Sequence, residues 1–249
     1  MSENKEDKDS EKTVELNWPP LESDPAIFNE YFHSIGLPQD VYFKEMLSLI
    51  DYKEFLILDG PPLGVILNFV RENKSKSSFE EEKNAPYFMK QTDELDNACG
   101  LVASLHCFAN AKNGNLKFKE NSVLDNFFKK AKNLSPLDKA KLLEKDDSFK
   151  KAHEKFAQKG QTNIQKEVTK NFVGHYICFM NVNGKLVEFD GMKEAPSIIK
   201  ENCNDKNFLD EALIEIMRRI ENKEIKEQAS VMLVVDPDTK LVDLLGGFD

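Results

Sequence analysis

The segment that most constrains the fold runs from residue 171 to 191, NFVGHYICFMNVNGKLVEFDG. It contains two stretches rich in β-branched and aromatic side chains, which favour strands. Between them lies Asn183-Gly184, a dipeptide that readily supplies the two left-handed residues of a type I′ turn. The sequence therefore predicts an antiparallel hairpin with a two-residue turn.

The register of this hairpin brings two chemically useful side chains together. A two-residue turn pairs Val182 with Lys185, and counting outward places Ile177 opposite Asp190. His175 then lies on the same face as Asp190, on its diagonal, where Cα atoms are roughly 7–8 Å apart. A hydrogen bond between His175 and Asp190 is therefore permitted by register alone.

Other segments show strand or helix patterns. Apolar runs at 54–60 and 64–72, separated by Gly60-Pro61-Pro62, predict a strand, a turn and a second strand. A third β-rich run, QASVMLVV, predicts a strand near the C-terminal end. Apolar residues at helical spacing predict helices at residues 26–36, 97–114, 122–134, 135–146 and 210–224.

The two ends and one internal stretch lack these patterns. Residues 1–14 are predicted to be a disordered charged tail without a secretory signal, which favours an intracellular protein. Residues 15–249 are predicted to form a single domain that ends in a polar tail at about 236–249. Residues 147–170 have weak periodicity, which indicates a long mobile connection.

Composition excludes several classes of function. The formal net charge of −10 argues against a nucleic-acid partner, whose phosphates need a basic face. No apolar run approaches the roughly 18 residues that span a bilayer, so no membrane partner is expected. The four cysteines have neither the close spacing of a zinc site nor the density of a disulfide framework. We therefore expect reduced thiols, no metal and no cofactor.

Four side chains are candidates for thiol chemistry. Asn97 is the predicted N-cap of a helix, which places Cys99 in the first turn, where the helix dipole favours a thiolate. His175 would be the base and Asp190 the group that orients it. The Cys99 backbone N–H and the Gln91 side chain are candidate donors for an oxyanion.

Each candidate also has an ordinary structural interpretation. A buried cysteine is usually a small apolar side chain. A histidine between Val173 and Ile177 is more often a hydrogen-bonded core residue. An aspartate before glycine is more often a turn former. The spacing permits a triad of Cys99, His175 and Asp190 but does not select it.

A family resemblance selects it. The strings YFMKQT (87–92) and NACG (97–100) resemble the active-site block of the ubiquitin C-terminal hydrolases, a family of papain-like thiol deubiquitinases. EFDG at 188–191 resembles the end of the family's hairpin, and the likeness extends over roughly residues 16 to 235. By this resemblance Cys99 is the nucleophile, His175 the general base and acid, Asp190 the orienter and Gln91 the oxyanion donor.

The resemblance also implies a fold, a reaction and a partner. The expected fold is α+β, a central antiparallel β-sheet flanked by helices, with residues of about 147–170 as a crossover loop above the active site. The expected reaction is hydrolysis after the C-terminal glycine of ubiquitin, with small or unstructured adducts preferred. Expected partners are ubiquitin and a close ubiquitin-like protein. A monomer in the cytoplasm, and also in the nucleus, is expected.

One departure leaves alternatives open. The family usually has five residues between the glutamine and the cysteine, whereas seven separate Gln91 from Cys99 here. Two extra residues within 93–96 either bulge outward or displace Gln91. A ubiquitin-binding protein of the same fold with weak catalysis is the first alternative, and another Cys-His-Asp acyl-transfer enzyme is the second.

Overall fold

The computed structural model describes residues 16–73, 79–83, 85–160, 174–239 and 241–243. Its α-helices are α1 (Pro25–Ile35), α2 (Tyr52–Phe55), α3 (Cys99–Asn110), α4 (Val123–Ala131), α5 (Pro136–Glu144), α6 (Asp147–Ala157) and α7 (Phe208–Glu221). Its strands are β1 (Tyr42–Glu45), β2 (Leu56–Leu58), β3 (Gly64–Val70), β4 (Glu80–Glu81), β5 (Gly174–Val182), β6 (Lys185–Phe189), β7 (Ser197–Lys200), β8 (Ser230–Val235) and β9 (Leu241–Asp243). Short 3-10 turns occur at Asp93–Leu95, Ala111–Gly114 and Pro237–Thr239.

Within these residues, seven strands form one sheet in the order β1-β8-β3-β5-β6-β7-β4, and every neighbouring pair is antiparallel. Alternate residues of β5 face opposite sides, so Cys178 and Met180 pack with α1 and α3, while Ile177 and Phe179 pack with α7. The predicted α+β fold, a central antiparallel sheet flanked by helices, is confirmed.

The hairpin has the predicted register. Val182 pairs with Lys185, and Cys178 pairs with Phe189. Asn183 has a φ of 52° and Gly184 a φ of 80°, as a type I′ turn requires at both positions.

The long connection predicted for residues 147–170 is wrong in its first half. Asp146 caps α6 through hydrogen bonds from two backbone N–H groups, and the helix continues to Ala157. Phe149, His153 and Phe156 lie on one face at helical spacing and are buried, which stabilises the helix against the rest of the protein. Residues 161–170 of the predicted loop lie outside the described part of the chain.

The predicted polar tail at 236–249 is also partly wrong. Pro237–Thr239 form a 3-10 turn, and β9 pairs with β2 in a separate two-stranded sheet. The predicted tail at residues 1–14 and the last six residues, 244–249, lie outside the described part of the chain. None of the described helices is long and apolar enough to cross a membrane.

Candidate active site

The start of α3 lies directly against β5, which brings Cys99 and His175 together. Cys99 is the first residue of α3, and His175 is the second residue of β5. Gly100 sits at the contact: a Cβ atom there would lie 3.2 Å from the Phe28 ring and 3.5 Å from the Tyr176 ring. The absence of a side chain at Gly100 therefore allows the helix to approach the strand closely beside the two reactive groups.

The prediction that Asn97 caps α3 is wrong. Ala98 occupies the N-cap position, and no side chain caps the helix. Because Cys99 is the first helical residue, its backbone N–H has no acceptor within the helix and remains available.

His175 interacts with both other members of the predicted triad. Its Nε2 donates to Asp190 Oδ1 over 2.8 Å, a hydrogen bond that the hairpin register permits. Burial lowers the pKa of His175, but hydrogen bonds and charge interactions with Asp190 and Cys99 outweigh it and raise the pKa to about 9. The imidazole is therefore protonated at neutral pH, and an adjacent imidazolium stabilises a cysteine thiolate.

Asp190 is held as a carboxylate. Burial alone would raise its pKa, but the hydrogen bond from His175, the imidazolium charge, the Met192 backbone N–H and the nearby Lys193 together lower it. The Met192 N–H donates to Asp190 Oδ1 over 3.0 Å. The carboxylate is thus fixed by main-chain and side-chain donors and can orient His175.

Gly191 connects the aspartate to Gln91 and to α3. The Gln91 backbone N–H donates to the Gly191 carbonyl over 2.8 Å. A Cβ atom at Gly191 would lie 2.9 Å from Val102 Cγ1 and 3.1 Å from Gln91 Cβ. The close packing places Gln91 between the end of the hairpin and α3.

The residues between Gln91 and Cys99 form an ordered turn, which we name the pre-nucleophile turn (residues 92–98). It contains the 3-10 turn at Asp93–Leu95, and Leu95 is completely buried. The Gln91 Nε2 donates to the carbonyls of Leu95 (3.1 Å) and Asp96 (3.0 Å). Asp93 and Glu94 are exposed, whereas the buried Leu95 anchors the turn, and the carbonyls of Leu95 and Asp96 contact the Gln91 amide directly.

Comparison with known proteins identifies the family. A sequence model of the family described as "Ubiquitin carboxyl-terminal hydrolase, family 1" matches residues 18–221. The chain belongs to this family. It is accordingly a cysteine-type hydrolase of the ubiquitin carboxyl-terminal hydrolase family.

Relatives match most of the chain. "Ubiquitin carboxyl-terminal hydrolase 3" of Arabidopsis thaliana is 33% identical over 198 residues, which cover 75% of this chain and 81% of the relative. "Ubiquitin carboxyl-terminal hydrolase isozyme L1" of Monodelphis domestica is 33% identical over 214 residues, which cover 82% of this chain and 92% of the relative.

Solved structures share the fold. The crystal structure of the Trichinella spiralis UCH37 catalytic domain bound to ubiquitin vinyl methyl ester superimposes with a TM-score of 0.68 at 20% identity. The match covers 91% of this chain and 99% of that catalytic domain.

Two residues of α3 hold the segment that carries Gln91 in this ubiquitin carboxyl-terminal hydrolase. Asn110 accepts from the Tyr87 N–H (3.0 Å) and donates to the Tyr87 carbonyl (2.9 Å). His106, one turn earlier, contacts the Met89 main chain through Nε2. Their role as a clamp on the segment before Gln91 depends on contacts that sequence spacing does not reveal.

His106 is a completely buried histidine. Burial lowers its pKa to about 4, against a smaller opposing effect of the Met89 hydrogen bond. The neutral ring stacks on Phe88 with ring centres 5.1 Å apart. Its function in the hydrolase is therefore structural.

Buried ion pairs behind Asp190 were missed by the sequence reasoning. Glu188 is 1% exposed and binds Lys193 and Arg219, the latter with 2.5 Å between Nη2 and Oε2. The charge of Lys193 also lowers the pKa of Asp190. An acidic residue inside an otherwise apolar strand such as VEF is a signal that could have indicated a buried partner.

The described residues contain no group of three or more His, Cys, Asp or Glu side chains arranged to hold a metal ion.

Proposed function

We propose that this protein hydrolyses the bond that follows the C-terminal glycine of ubiquitin. The observation that carries the proposal is the constellation of Cys99, His175 and Asp190 in a member of the ubiquitin carboxyl-terminal hydrolase family. An imidazolium with a raised pKa beside a cysteine at a helix N-terminus is an arrangement that activates a thiol for acyl transfer.

The proposed reaction has two stages. The Cys99 thiolate attacks the carbonyl carbon of the terminal glycine, and the oxyanion is stabilised by the Cys99 N–H and the Gln91 Nε2. His175 gives its proton to the leaving amine, which departs as the thioester forms. His175 then takes a proton from water, the resulting hydroxide attacks the thioester, and the thiolate is released. Asp190 stabilises the imidazolium whenever it is present.

The proposal includes a preference for small or unstructured adducts. α6 ends at Ala157, and Gly174, where β5 begins, directly precedes His175. Most residues between these two points lie outside the described part of the chain. The family resemblance, which implies a crossover loop above the active site here and hence a limit on the size of the leaving group, supports the preference.

Ubiquitin is also favoured by charge. The C-terminal tail of ubiquitin is basic, and the net charge of −10 on this chain attracts it. We extend the proposal to a monomeric cytoplasmic or nuclear enzyme that also accepts a close ubiquitin-like protein.

The decisive experiment is labelling with a ubiquitin whose C-terminus carries a thiol-reactive electrophile, followed by mass mapping of the adduct. A single adduct on Cys99 is expected. Cys99→Ala should lose both labelling and hydrolysis of a C-terminal ubiquitin amide, yet bind ubiquitin nearly as well as the wild type. Cys203→Ala is the control, because Cys203 is buried in the cluster around α7, and it should be labelled normally.

Three results would contradict the proposal. An adduct on another cysteine would overturn the assignment of Cys99. Binding of ubiquitin by the wild type without turnover would favour a binding-only protein. Cleavage of small acyl thioesters by a protein that neither binds nor hydrolyses ubiquitin would favour another Cys-His-Asp acyl-transfer enzyme.

A further inference from the structure

We propose that Asp96 is a positioning residue for Gln91, and that it acts by tying the pre-nucleophile turn to the N-terminal segment formed by residues 17–21. The inference rests on the proposed function, because it concerns the group that would donate to the oxyanion during ubiquitin hydrolysis.

The pre-nucleophile turn decides which end of the Gln91 amide faces the carbonyls of Leu95 and Asp96. The two ends of an amide have nearly the same shape, but only the nitrogen can donate. Because the carbonyls of Leu95 and Asp96 both accept from Nε2, a flipped amide would place Oε1 against two carbonyl oxygens. The two carbonyls occupy both N–H groups of the amide in this structure, so the turn holds Gln91 in place, and one of the two bonds must open when Nε2 donates to an oxyanion.

This orientation has a cost that indicates a functional reason. Gln91 Oε1 is buried and has no hydrogen-bond partner among the described residues. A buried acceptor without a donor is destabilising, and such groups are uncommon in folded proteins. The observed orientation gives the nitrogen of the Gln91 amide two acceptors and leaves its oxygen without a donor.

The carboxylate of Asp96 fixes the turn itself. Oδ2 accepts from the Asn17 backbone N–H (2.9 Å), and Oδ1 accepts from those of Trp18 (2.9 Å) and Asn97 (2.7 Å). The Asn17 side chain adds a hydrogen bond to Glu94 on the same turn (3.2 Å). One carboxylate thus joins two segments separated by almost 80 residues.

The N-terminal segment is in turn fixed to the elements around the site. Trp18 is 2% exposed and packs edge-on against His153 of α6, with ring centres 5.2 Å apart. The Pro19 carbonyl lies 2.6 Å from His153 Nε2, and the Leu21 carbonyl accepts from the Tyr176 hydroxyl over 3.0 Å. Asp96 therefore couples the pre-nucleophile turn to α6 and to β5, the strand that carries His175.

Removing the Asp96 carboxylate leaves the two carbonyls in the chain but releases the turn that holds them. A displacement of a donor by about 1 Å can cost on the order of a hundredfold in rate. Asp96→Ala should therefore lower kcat for a ubiquitin amide roughly tenfold to a hundredfold, with a smaller change in KM.

A double-mutant cycle separates positioning from general stabilisation. If Asp96 acts through Gln91, the variant carrying both Asp96→Ala and Gln91→Ala should be about as slow as Gln91→Ala alone, because the group being positioned is already gone. Gln91→Glu should be at least as slow as Gln91→Ala, since a carboxylate oxygen would face the two carbonyls. Asp96→Asn should be intermediate, because its remaining oxygen can keep the bonds from Trp18 and Asn97.

A second measurement tests whether Asp96→Ala lowers kcat merely by disturbing the fold around Cys99. Alkylation of Cys99 by iodoacetamide needs the thiolate and His175 but not an oxyanion donor, so Asp96→Ala should be alkylated at close to the wild-type rate. Asp93→Ala is the matched control, because Asp93 is an exposed acidic residue of the same turn, and its kcat should equal that of the wild type.

The outcomes are distinguishable. Losses from Asp96→Ala and Gln91→Ala that multiply in the double variant, or equal losses of alkylation and hydrolysis, would overturn the positioning role while leaving the proposed function intact. A wild-type protein that does not hydrolyse ubiquitin amides would contradict the proposed function and, with it, this inference.

Discussion

At the scale of single residues, the pKa shifts of His175 and Asp190 set the pH range over which this charged pair stabilises the protein. Folding raises the pKa of His175 from 6.5 to about 9, so the stability it contributes is fully present below pH 6.5 and is lost as the pH rises through about 9. Folding lowers the pKa of Asp190, so the stability from its charge is lost only as the pH falls below the ordinary carboxyl range. Both groups are therefore charged throughout the neutral range.

The pH dependence of activity follows from this pair. We expect kcat/KM for a ubiquitin amide to fall as the pH rises through about 9, because His175 then loses the proton that it gives to the leaving amine. In Asp190→Asn the alkaline limb should move to lower pH and the rate should fall, since the charge that holds the proton is gone. Steady-state rates measured across the pH range test both expectations.

A carboxylate away from the site provides the control. Asp210 accepts from the Tyr52 hydroxyl on α2, and Asp210→Asn should leave the pH profile unchanged. An alkaline limb that stays in place in Asp190→Asn would show that another group holds the proton on His175.

At the scale of elements, α3 has a separate task at each end. Its first residue is the proposed nucleophile, and its last residue, Asn110, clamps Tyr87 through the main chain. Asn110 also donates to the His106 carbonyl within the helix over 2.8 Å. One rigid helix therefore sets the distance between Cys99 and the extended segment that leads to Gln91.

Asn110→Ala should therefore destabilise the protein substantially. The Tyr87 N–H and carbonyl would lose their side-chain partner in a buried place, which costs roughly 2–4 kcal/mol of the free energy of unfolding. Urea titration should show a lower midpoint with an unchanged slope.

An asparagine on another helix is the matched control. Asn126 on α4 is exposed and donates to the Asn121 carbonyl, so Asn126→Ala should change the unfolding free energy by only about 0.5 kcal/mol. Similar effects of the two substitutions would argue against the clamp.

At the scale of the whole molecule, charge is expected to govern association with ubiquitin. The net charge of −10 attracts a basic partner, and salt screens that attraction over roughly 10 Å at 0.1 M ionic strength. KM for a ubiquitin amide should therefore rise with added sodium chloride while kcat changes little. Alkylation of Cys99 by uncharged iodoacetamide is the control and should be insensitive to salt. A KM that does not depend on salt would show that charge is unimportant for binding.

The sequence by itself determined the features that depend on neighbouring residues. Asn183-Gly184 set the turn, the turn set the register, and the register placed His175 on the diagonal of Asp190. The helix predicted from residue 135 likewise begins there, with Ser135 as the N-cap of α5 and Pro136 as its first residue. These signals act within a few residues, so a local pattern contains the information that they need.

Tertiary structure decided the features that depend on distant contacts. The start of α6 was overlooked although Phe149, His153 and Phe156 follow helical spacing, because the segment has few aliphatic residues and the burial of these three side chains depends on packing in the folded chain. The outcome of the two extra residues before Cys99 also could not be read from the sequence. It depends on burial of Leu95 and on the bonds from Asn17 to Asp96, and the residues that make those bonds meet only in the folded chain.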